Sequence, residues 1–588
     1  MFDRFSPACR FPVGAVKHGT SVRFTLTPPR SLGVKEAFLE ENGTLHPLLW
    51  TDTRLGEDVY TFTLETTAPG LHFYTFLLDT ADGRFRLSEN GRQSVLRKAD
   101  EYFVPFQLTV YDASFATPDF LKGGVIYQIF PDRFFRAGTR LPTRGRTLHA
   151  NWSDPPDYHN DPLKITNSDF FGGDLQGITQ KLDYLVSLGV TVIYLNPIFE
   201  AYSNHRYDTG DYETIDPLLG DEDDLRTLFH EAKKRGIAVL LDGVFSHTGA
   251  DSRYFNKFGT YESLGAAQST ESPYASWYDF QHFPDRYTCW WDVWSLPCVN
   301  ETQPSYLDFI TGENGIARRY IRLGASGWRL DVADELPDGF LDAFRKAVKA
   351  EDPDAAVLGE VWEDASNKIA YGARRRYLLG DQLDSVMNYP FRSAVLAFVK
   401  DKNAAALVDT VLAVTEHYPP CVTAGLMNLL STHDTPRVLT ALAGEDASGK
   451  DRDFQARTHI PPEKLPASYR KLLLAAAVQY TLPGTPSLYY GDETGMQGYG
   501  DPFNRAAFPW GRENAELVEA FRFLGKLRAF IPADAPFTLL FETEHALCYR
   551  RGGVTVYANA SETPVFLLDR EIPAEKCVFM VDGKEIPW

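Results

Sequence analysis

Two carboxylates stand at the ends of short apolar stretches, Asp331 closing GWRLD and Glu360 closing AAVLGE, and such a pair could cleave a glycosidic bond. That reaction needs a proton donor to the leaving oxygen and a group that stabilises an oxocarbenium-like carbon. Enzymes that retain anomeric configuration do this with two carboxyl groups about 5–5.5 Å apart. Arg329 lies two residues before Asp331, so strand alternation puts both on one face, where the guanidinium would hold Asp331 ionised for nucleophilic attack. Glu360 precedes Val361 and Trp362, and partial desolvation beside the Asp331 charge would favour the protonated form that a general acid needs. Asp434, next to His433, is a third carboxylate that could tighten on sugar hydroxyls as the ring distorts. His247, five residues after Asp242, is placed to donate to the same sugar, and Tyr207 offers it an aromatic face. Any one of these residues alone reads as a loop cap or a turn. The set does not, because its members close successive segments of one pattern.

That pattern is a strand followed by a helix, repeated from about residue 119. Leu175, Ile178, Leu182, Leu185 and Leu188 recur at helical spacing, a glycine stops the run, and VTVIYLNP follows as a buried strand. DDLRTLFHEAKKRG then IAVLLDGV, GIARRYIRLGASG then WRLDV, and GFLDAFRKAVKA then AAVLGEV repeat it. Continuous apolar strands between amphipathic helices predict a parallel sheet covered on both faces. With VIYQIFPDRF, QLDSVMNYP, GLMNLLSTHD and TPSLYYGDE there are eight candidate strands, and most end on polar residues. The expectation is an α/β fold, a (β/α)8 TIM barrel spanning 119–534, whose active residues sit at the C-terminal ends of its strands. The rival is a doubly wound open sheet, but no glycine-rich nucleotide loop follows the first strand.

About 70 residues after Asp242 show no clear helix, which predicts an inserted subdomain, about 248–312, overhanging the mouth of the barrel. Residues 1–118 read as a β-sandwich of short aromatic and β-branched segments such as SVRFTLT and GLHFYTFLL. It would serve as a carbohydrate-binding module or as a packing and dimerisation module. Residues 535–588 return to short β-segments and form a small C-terminal β-domain.

The net charge of −20 argues against sequence-blind binding to nucleic acid or to an anionic membrane. No stretch approaches the ~20 apolar residues of a transmembrane helix. The N-terminus lacks a charged start followed by an apolar run, and the six cysteines lie far apart without paired spacing. Both features point to free thiols and a cytoplasmic location.

DGVFSH (242–247), GWRLDVADE (327–335), GEVW (359–362) and STHD (431–434) resemble, in order, four short regions of the α-amylase family of glycoside hydrolases. The N-terminal β-domain ending in LTVYD and the following VIYQIFPDRF are similar to its cyclomaltodextrinase, neopullulanase and maltogenic amylase group. The resemblance implies that Asp331 is the nucleophile, Glu360 the acid/base and Asp434 the transition-state stabiliser. Arg329, His247, His433, Asp242 and Tyr207 would shape the cleavage subsite. Val332 to Glu335 resembles the group's VANE tail, which brings in Glu335, and Trp362 after the acid/base also fits. WWDVWSLPCVNE resembles its tryptophan and Leu-Pro motif, making Trp290, Trp291 and Trp294 candidates to stack on further glucose rings. Ser246, Asp334 and Glu363 depart from the common pattern, where Asn, Asn and His are usual.

The implied activity is hydrolysis of α-1,4, and in part α-1,6, bonds in cyclodextrins, pullulan and starch-derived maltooligosaccharides, with no cofactor. Relatives bind Ca²⁺ in an Asn/Asp-rich loop after the first strand, whereas FFRAGTRLPTRGRT is basic and only Gly172–Gly173–Asp174 is retained. A calcium site is therefore expected to be absent or weak, since a hard cation needs several oxygen ligands. In that group the N-terminal domain often completes a neighbour's active site, which leaves a homodimer through residues 1–118 open. The alternatives are a short-chain α-glucosidase or trehalose- or sucrose-type isomerase, against which the N-terminal domain argues, and a catalytically silent glycan-binding protein. The latter usually lacks one of the three carboxylates.

Overall fold

The apolar runs between residues 125 and 489 form eight parallel strands in the computed structural model, which describes residues 1–159, 165–568 and 570–588. They are β1 (Val125–Ile129), β2 (Val190–Leu195), β3 (Ala238–Gly243), β4 (Gly327–Leu330), β5 (Ala356–Gly359), β6 (Ser385–Val386), β7 (Met427–Leu429) and β8 (Thr485–Tyr489). Each pairs with its sequence neighbours from β1 to β6, and β8 lies between β1 and β7. A parallel bridge from Met387 to Met427 brings the end of β6 to β7, so the strands circle back on themselves as a barrel. Ile126, Val192, Tyr194, Leu240, Leu358 and Met427 fill the middle, which is why the strands read as apolar throughout.

The helices follow the predicted units. α1 (Glu222–Lys234) starts on a reciprocal capping box between Asp221 and Asp224 and buries Leu225, Leu228, Phe229 and Ala232. α2 (Asp338–Glu351) buries Phe340, Leu341, Phe344 and Val348. Two details differ from the sequence reading. The periodic run after Asp174 is two six-residue helices, Leu175–Gln180 and Leu182–Ser187, because Lys181 leaves helical geometry at φ −102° and ψ 6°. Its ammonium lies 4.0 Å from the ring centroids of both Phe135 and Trp510. The insertion after Asp242 also contains a helix, Pro304–Thr311, which Gln303 caps from its side chain and which a Pro at the first turn helps to start.

The chain forms two compact units. One gathers residues 1–116, 364–382 and 408–423, and the other gathers 117–363, 383–407 and 424–588. In the first, two mainly antiparallel sheets close over Phe24, Leu39, Tyr74, Phe76, Leu78 and Phe106 as a β-sandwich. The stretch 364–382, which follows β5, belongs to that unit and carries only a short hairpin (Ile369–Ala370 with Ala373–Arg374). The second unit ends in a five-stranded antiparallel sheet from Thr538–Glu542 to Lys584–Ile586. Among the described residues no helix is long and apolar enough to cross a membrane.

Candidate active site

Strand register, more than any single side chain, builds the site. β4 and β5 run parallel with Leu330 opposite Gly359, so the residues that follow, Asp331 and Glu360, stand abreast. Across the other edge of β4, Asp242 is opposite Arg329. The Arg329 guanidinium, fully buried, meets Asp242 Oδ1 and Asp331 Oδ1 at 2.8 Å and Glu360 Oε2 at 2.7 Å. One cation thus faces three carboxylates.

This changes the expected electrostatics. The sequence reading set Arg329 against Asp331 alone and left Glu360 in apolar surroundings. In the structure Glu360 also takes Arg329, with the Val332 amide on Oε2 at 2.9 Å and the Trp362 indole N–H on Oε1 at 3.0 Å. Burial pushes Asp331 well above the usual carboxylate range, Arg329 pulls against it, and the Glu360, Asp242 and Asp434 charges add to the rise. Burial likewise raises Asp242, opposed by Arg329 and by two tyrosine hydroxyls. Asp331 and Asp242 share Arg329, so their titration belongs to the group rather than to either residue.

Val332 holds a left-handed backbone, φ 37° and ψ 66°, which is costly for a β-branched residue, about 1–3 kcal/mol. Its amide is thereby aimed at Glu360. The sequence places Val332 at the head of the VANE-like tail but gives no sign of this backbone role.

Asp434, beyond β7, lies 3.0 Å from His433 Nε2 and 3.4 Å from Arg505. Its side chain is about a third exposed, so desolvation is partial; that and the Glu360 charge raise its pKa, against Arg505 and Arg329. His433 is held neutral by burial and by the Arg505 and Arg329 charges. Gln128 Nε2 donates to its Nδ1 at 2.9 Å, which leaves the proton on Nε2, facing Asp434. Tyr207 lies parallel to the His433 ring at 5.0 Å, and its hydroxyl donates to Asp242 Oδ2 at 2.8 Å while taking Asn196 Nδ2 at 2.9 Å. One face of the tyrosine is therefore covered by a histidine. Tyr194 adds a second hydroxyl to Asp242 at 2.5 Å.

His247 does not present a free N–H as expected. Its Nε2 meets the Tyr207 carbonyl at 3.1 Å and its Nδ1 meets Ser246 Oγ at 3.0 Å, and burial lowers its pKa to about 4. With both nitrogens engaged, it holds the Tyr207 segment in place. Its ring packs on Trp290, which stacks on Trp291 at 5.4 Å. Trp291 is 75% exposed and its indole N–H reaches Glu335 Oε1 at 3.3 Å. Trp362 stacks flat on Tyr389 at 3.9 Å and stays 46% exposed. Trp294 packs edge-on to Phe258.

The residues missed from sequence are Gln128, Tyr194, Val332, Tyr389 and Arg505. Gln128 had a signal, a lone amide inside the apolar strand VIYQI. Arg505 had none, since it closes a single 3-10 turn, Phe503–Arg505, after the last barrel strand.

In the loop after β1 the carboxylates are bonded to the protein's own N–H groups. Asp132 accepts from the Phe171 and Gly172 amides at 2.9 and 3.0 Å and from Arg133 Nε at 2.7 Å. Asp174 takes the Gly138 and Gly177 amides at 2.9 and 2.6 Å and caps the helix Leu175–Gln180. The Arg136 guanidinium donates to the Phe171 carbonyl at 2.8 Å. N–H donors already occupy the oxygens a hard cation would need, so this donor set does not fit calcium.

Residues 128–516 match the model of the α-amylase catalytic domain. An amylopullulanase of Thermoanaerobacter thermohydrosulfuricus is 37% identical over 90% of this chain. The chain spans only 38% of that relative's length, and under half of the other amylopullulanases it matches. A cyclomaltodextrinase of Geobacillus thermopakistaniensis is 36% identical over 87% of this chain and 80% of its own. Among solved structures, the type III pullulan hydrolase of Thermococcus kodakarensis superposes with a TM-score of 0.69 at 28% identity, over 99% of each chain.

Proposed function

This chain belongs to the α-amylase family of glycoside hydrolases, and on that premise we propose that it cleaves α-1,4, and in part α-1,6, glucosidic bonds by double displacement. The substrates would be cyclodextrins, pullulan and starch-derived maltooligosaccharides. The observation that carries this reading is the single Arg329 guanidinium joining Asp242, Asp331 and Glu360 at consecutive strand ends.

Asp331 attacks the anomeric carbon, and the bond to the leaving oxygen breaks as that oxygen takes a proton from Glu360. Glu360, now a carboxylate, removes a proton from water, which attacks the glycosyl–Asp331 ester and frees the carboxylate. Asp434 and the neutral His433 hold sugar hydroxyls through the transition state. Trp362, Trp291 and Glu335 border the leaving side, and the exposed indoles supply stacking faces for further glucose rings. No cofactor enters. Arg133 and Arg136 support a chain without calcium in the loop after β1. The six free cysteines support a reducing, cytoplasmic setting. A homodimer through the N-terminal sandwich is part of the proposal. Leu49 and Trp50, exposed on an edge strand, support it, and sedimentation velocity tests it.

The test is hydrolysis of β-cyclodextrin, pullulan and soluble starch by wild type and Asp331→Asn. We expect wild type to cleave all three and the variant to lose at least about 10³-fold in kcat, as removal of a covalent nucleophile does. Activity in the variant near the wild-type level would remove Asp331 from the nucleophile's role.

A further inference from the structure

A chain of hydrogen bonds crosses the barrel from Asp242 on β3 to His433 beyond β7. The Tyr207 hydroxyl lies 2.8 Å from Asp242 Oδ2, and Asn196, the residue after β2, puts its Nδ2 2.9 Å from that hydroxyl. Asn196 Oδ1 lies 3.1 Å from Nε2 of Gln128 on β1, and the same nitrogen is 2.9 Å from His433 Nδ1. Asp242, Asn196, Gln128 and His433 are all buried.

The direction of every link is forced from one end. Asp242, held by Arg329 on Oδ1 and by the Tyr194 hydroxyl on Oδ2, accepts hydrogen bonds as a carboxylate. Tyr207 must then donate its one hydroxyl proton to Asp242 and accept from Asn196. With its NH2 committed to Tyr207, the Asn196 amide turns its oxygen to Gln128. Gln128 answers with its own NH2, and the second N–H of that group points at His433 Nδ1. A ring nitrogen that receives an N–H carries no proton of its own. His433 is left neutral, with its single proton on Nε2, 3.0 Å from Asp434 Oδ2. Burial and the Arg505 and Arg329 charges favour the same neutral form.

The arrangement is held against a local penalty. With both N–H groups of Gln128 turned into the chain, its Oε1 is buried with no hydrogen-bond partner among the described residues. An orphaned buried acceptor is destabilising. Turning the amide over would set Oε1 against Asn196 Oδ1, oxygen to oxygen, so the polarity of the chain keeps Gln128 where its own oxygen goes unsatisfied.

We infer that Asn196 and Gln128 are positioning residues, which carry the polarity of Asp242 to His433 and so keep its one proton on the nitrogen that faces Asp434. The inference rests on the reading that His433 holds sugar hydroxyls in the reaction. Asn196 reaches His433 through Gln128, so a substitution there tests the chain without altering the ring itself.

Proton–nitrogen NMR correlations across labelled histidine rings show which nitrogen carries the proton, and His433→Asn identifies the His433 signals by their loss. Wild type should show the proton on Nε2. In Asn196→Leu the Gln128 amide is released to turn its oxygen to His433, and a signal for a protonated Nδ1 should appear. Asn196→Asp still presents an acceptor to Gln128 and should keep the wild-type pattern. Gln128→Glu offers Nδ1 only an acceptor, should protonate it, and decides the matter if Asn196→Leu does not fold. In steady state, Asn196→Leu should lower kcat on maltohexaose about 10- to 100-fold, and Asn196→Asp several-fold less. Added to His433→Asn, Asn196→Leu should cost less than about 3-fold more, since no tautomer remains to be set. A wild-type ring protonated on Nδ1, a pattern that neither Asn196→Leu nor Gln128→Glu changes, or a full further loss on top of His433→Asn overturns the inference. If His433→Asn alone costs less than about 3-fold, the reading of His433 in the reaction fails, and the ring signals still decide whether the chain sets the tautomer.

Discussion

Arg329 in the barrel and Arg10 in the sandwich unit are both fully buried, and both meet carboxylates within 2.8 Å, yet their surroundings differ in charge balance. Arg10 shares Glu416 with Arg4, and Arg4 also meets Glu89, so two cations face two anions. Arg10 Nη1 donates to the Tyr74 hydroxyl and the Gln107 carbonyl. Arg329 is alone among three carboxylates. A balanced buried cluster can remain fully ionised and act as a strut. An unbalanced one must keep a proton, and a retained proton among acids of shifted affinity is what acid–base chemistry uses. Within the sandwich cluster burial raises Glu89, with Arg4 pulling against it. Asp364, in the sandwich unit, would be raised by burial, but His417 and Ser366 outweigh that and hold it below its usual range. In the barrel, burial lifts Glu493 to about 7, against the Tyr127 and Tyr184 hydroxyls, and Asp208 to about 6.

The contrast can be broken most directly at the arginines. Arg329→Met should cost at least about 10³-fold in kcat, because removing the one cation leaves three buried acids that cannot all ionise. A steady-state assay showing less than a 10-fold loss would mean the imbalance has no catalytic role. Glu416→Leu should instead reduce stability by about 3–5 kcal/mol in urea titration, since it leaves the buried Arg10 without a carboxylate and Arg4 with Glu89 alone. An unchanged midpoint would show that the sandwich cluster is no strut.

The pH dependence sharpens the comparison, with opposite signs in the two units. Glu493 has its folded pKa raised, so its contribution is complete below about pH 4 and is lost as pH rises through about 7. Wild type should therefore lose ground to Glu493→Gln in Tm between about pH 4 and pH 7. Asp364 has its folded pKa lowered, so its contribution is present above about pH 4 and fades as pH falls below that. Asp364→Asn should then be destabilising at neutral pH and converge on wild type in acid. Parallel curves for the two variants would contradict the assignment. The smallest effect is expected at Trp291→Ala, which exposes no core and should raise KM for long maltooligosaccharides by about 3- to 10-fold with Tm unchanged.

Much of the molecule was legible in one dimension. The period of the apolar runs identified the parallel strands, and the polar residues closing them picked out Asp242, Asp331, Glu360 and Asp434, because alternation and helical spacing are local properties of a chain. The break at Lys181 was not legible, and one of the two rings its ammonium reaches lies more than 300 residues away. Nor was the helix Pro304–Thr311 anticipated inside the insertion. His247 shows the same limit within the site. Its residue type suggested a donor to substrate, and only the folded chain brings Ser246 Oγ and the Tyr207 carbonyl to its two nitrogens.

What the sequence by itself determined is the fold class, the order of the strands and the identity of the acids at their ends. Each of these follows from which residues want to be buried and at what spacing. The tertiary structure decided how many carboxylates one arginine serves, which way Val332 points its amide, and that Gln128 turns its N–H groups to Asn196 and His433. Those outcomes depend on strand register and on contacts across hundreds of residues, where shifts of an ångström separate a hydrogen bond from an empty space.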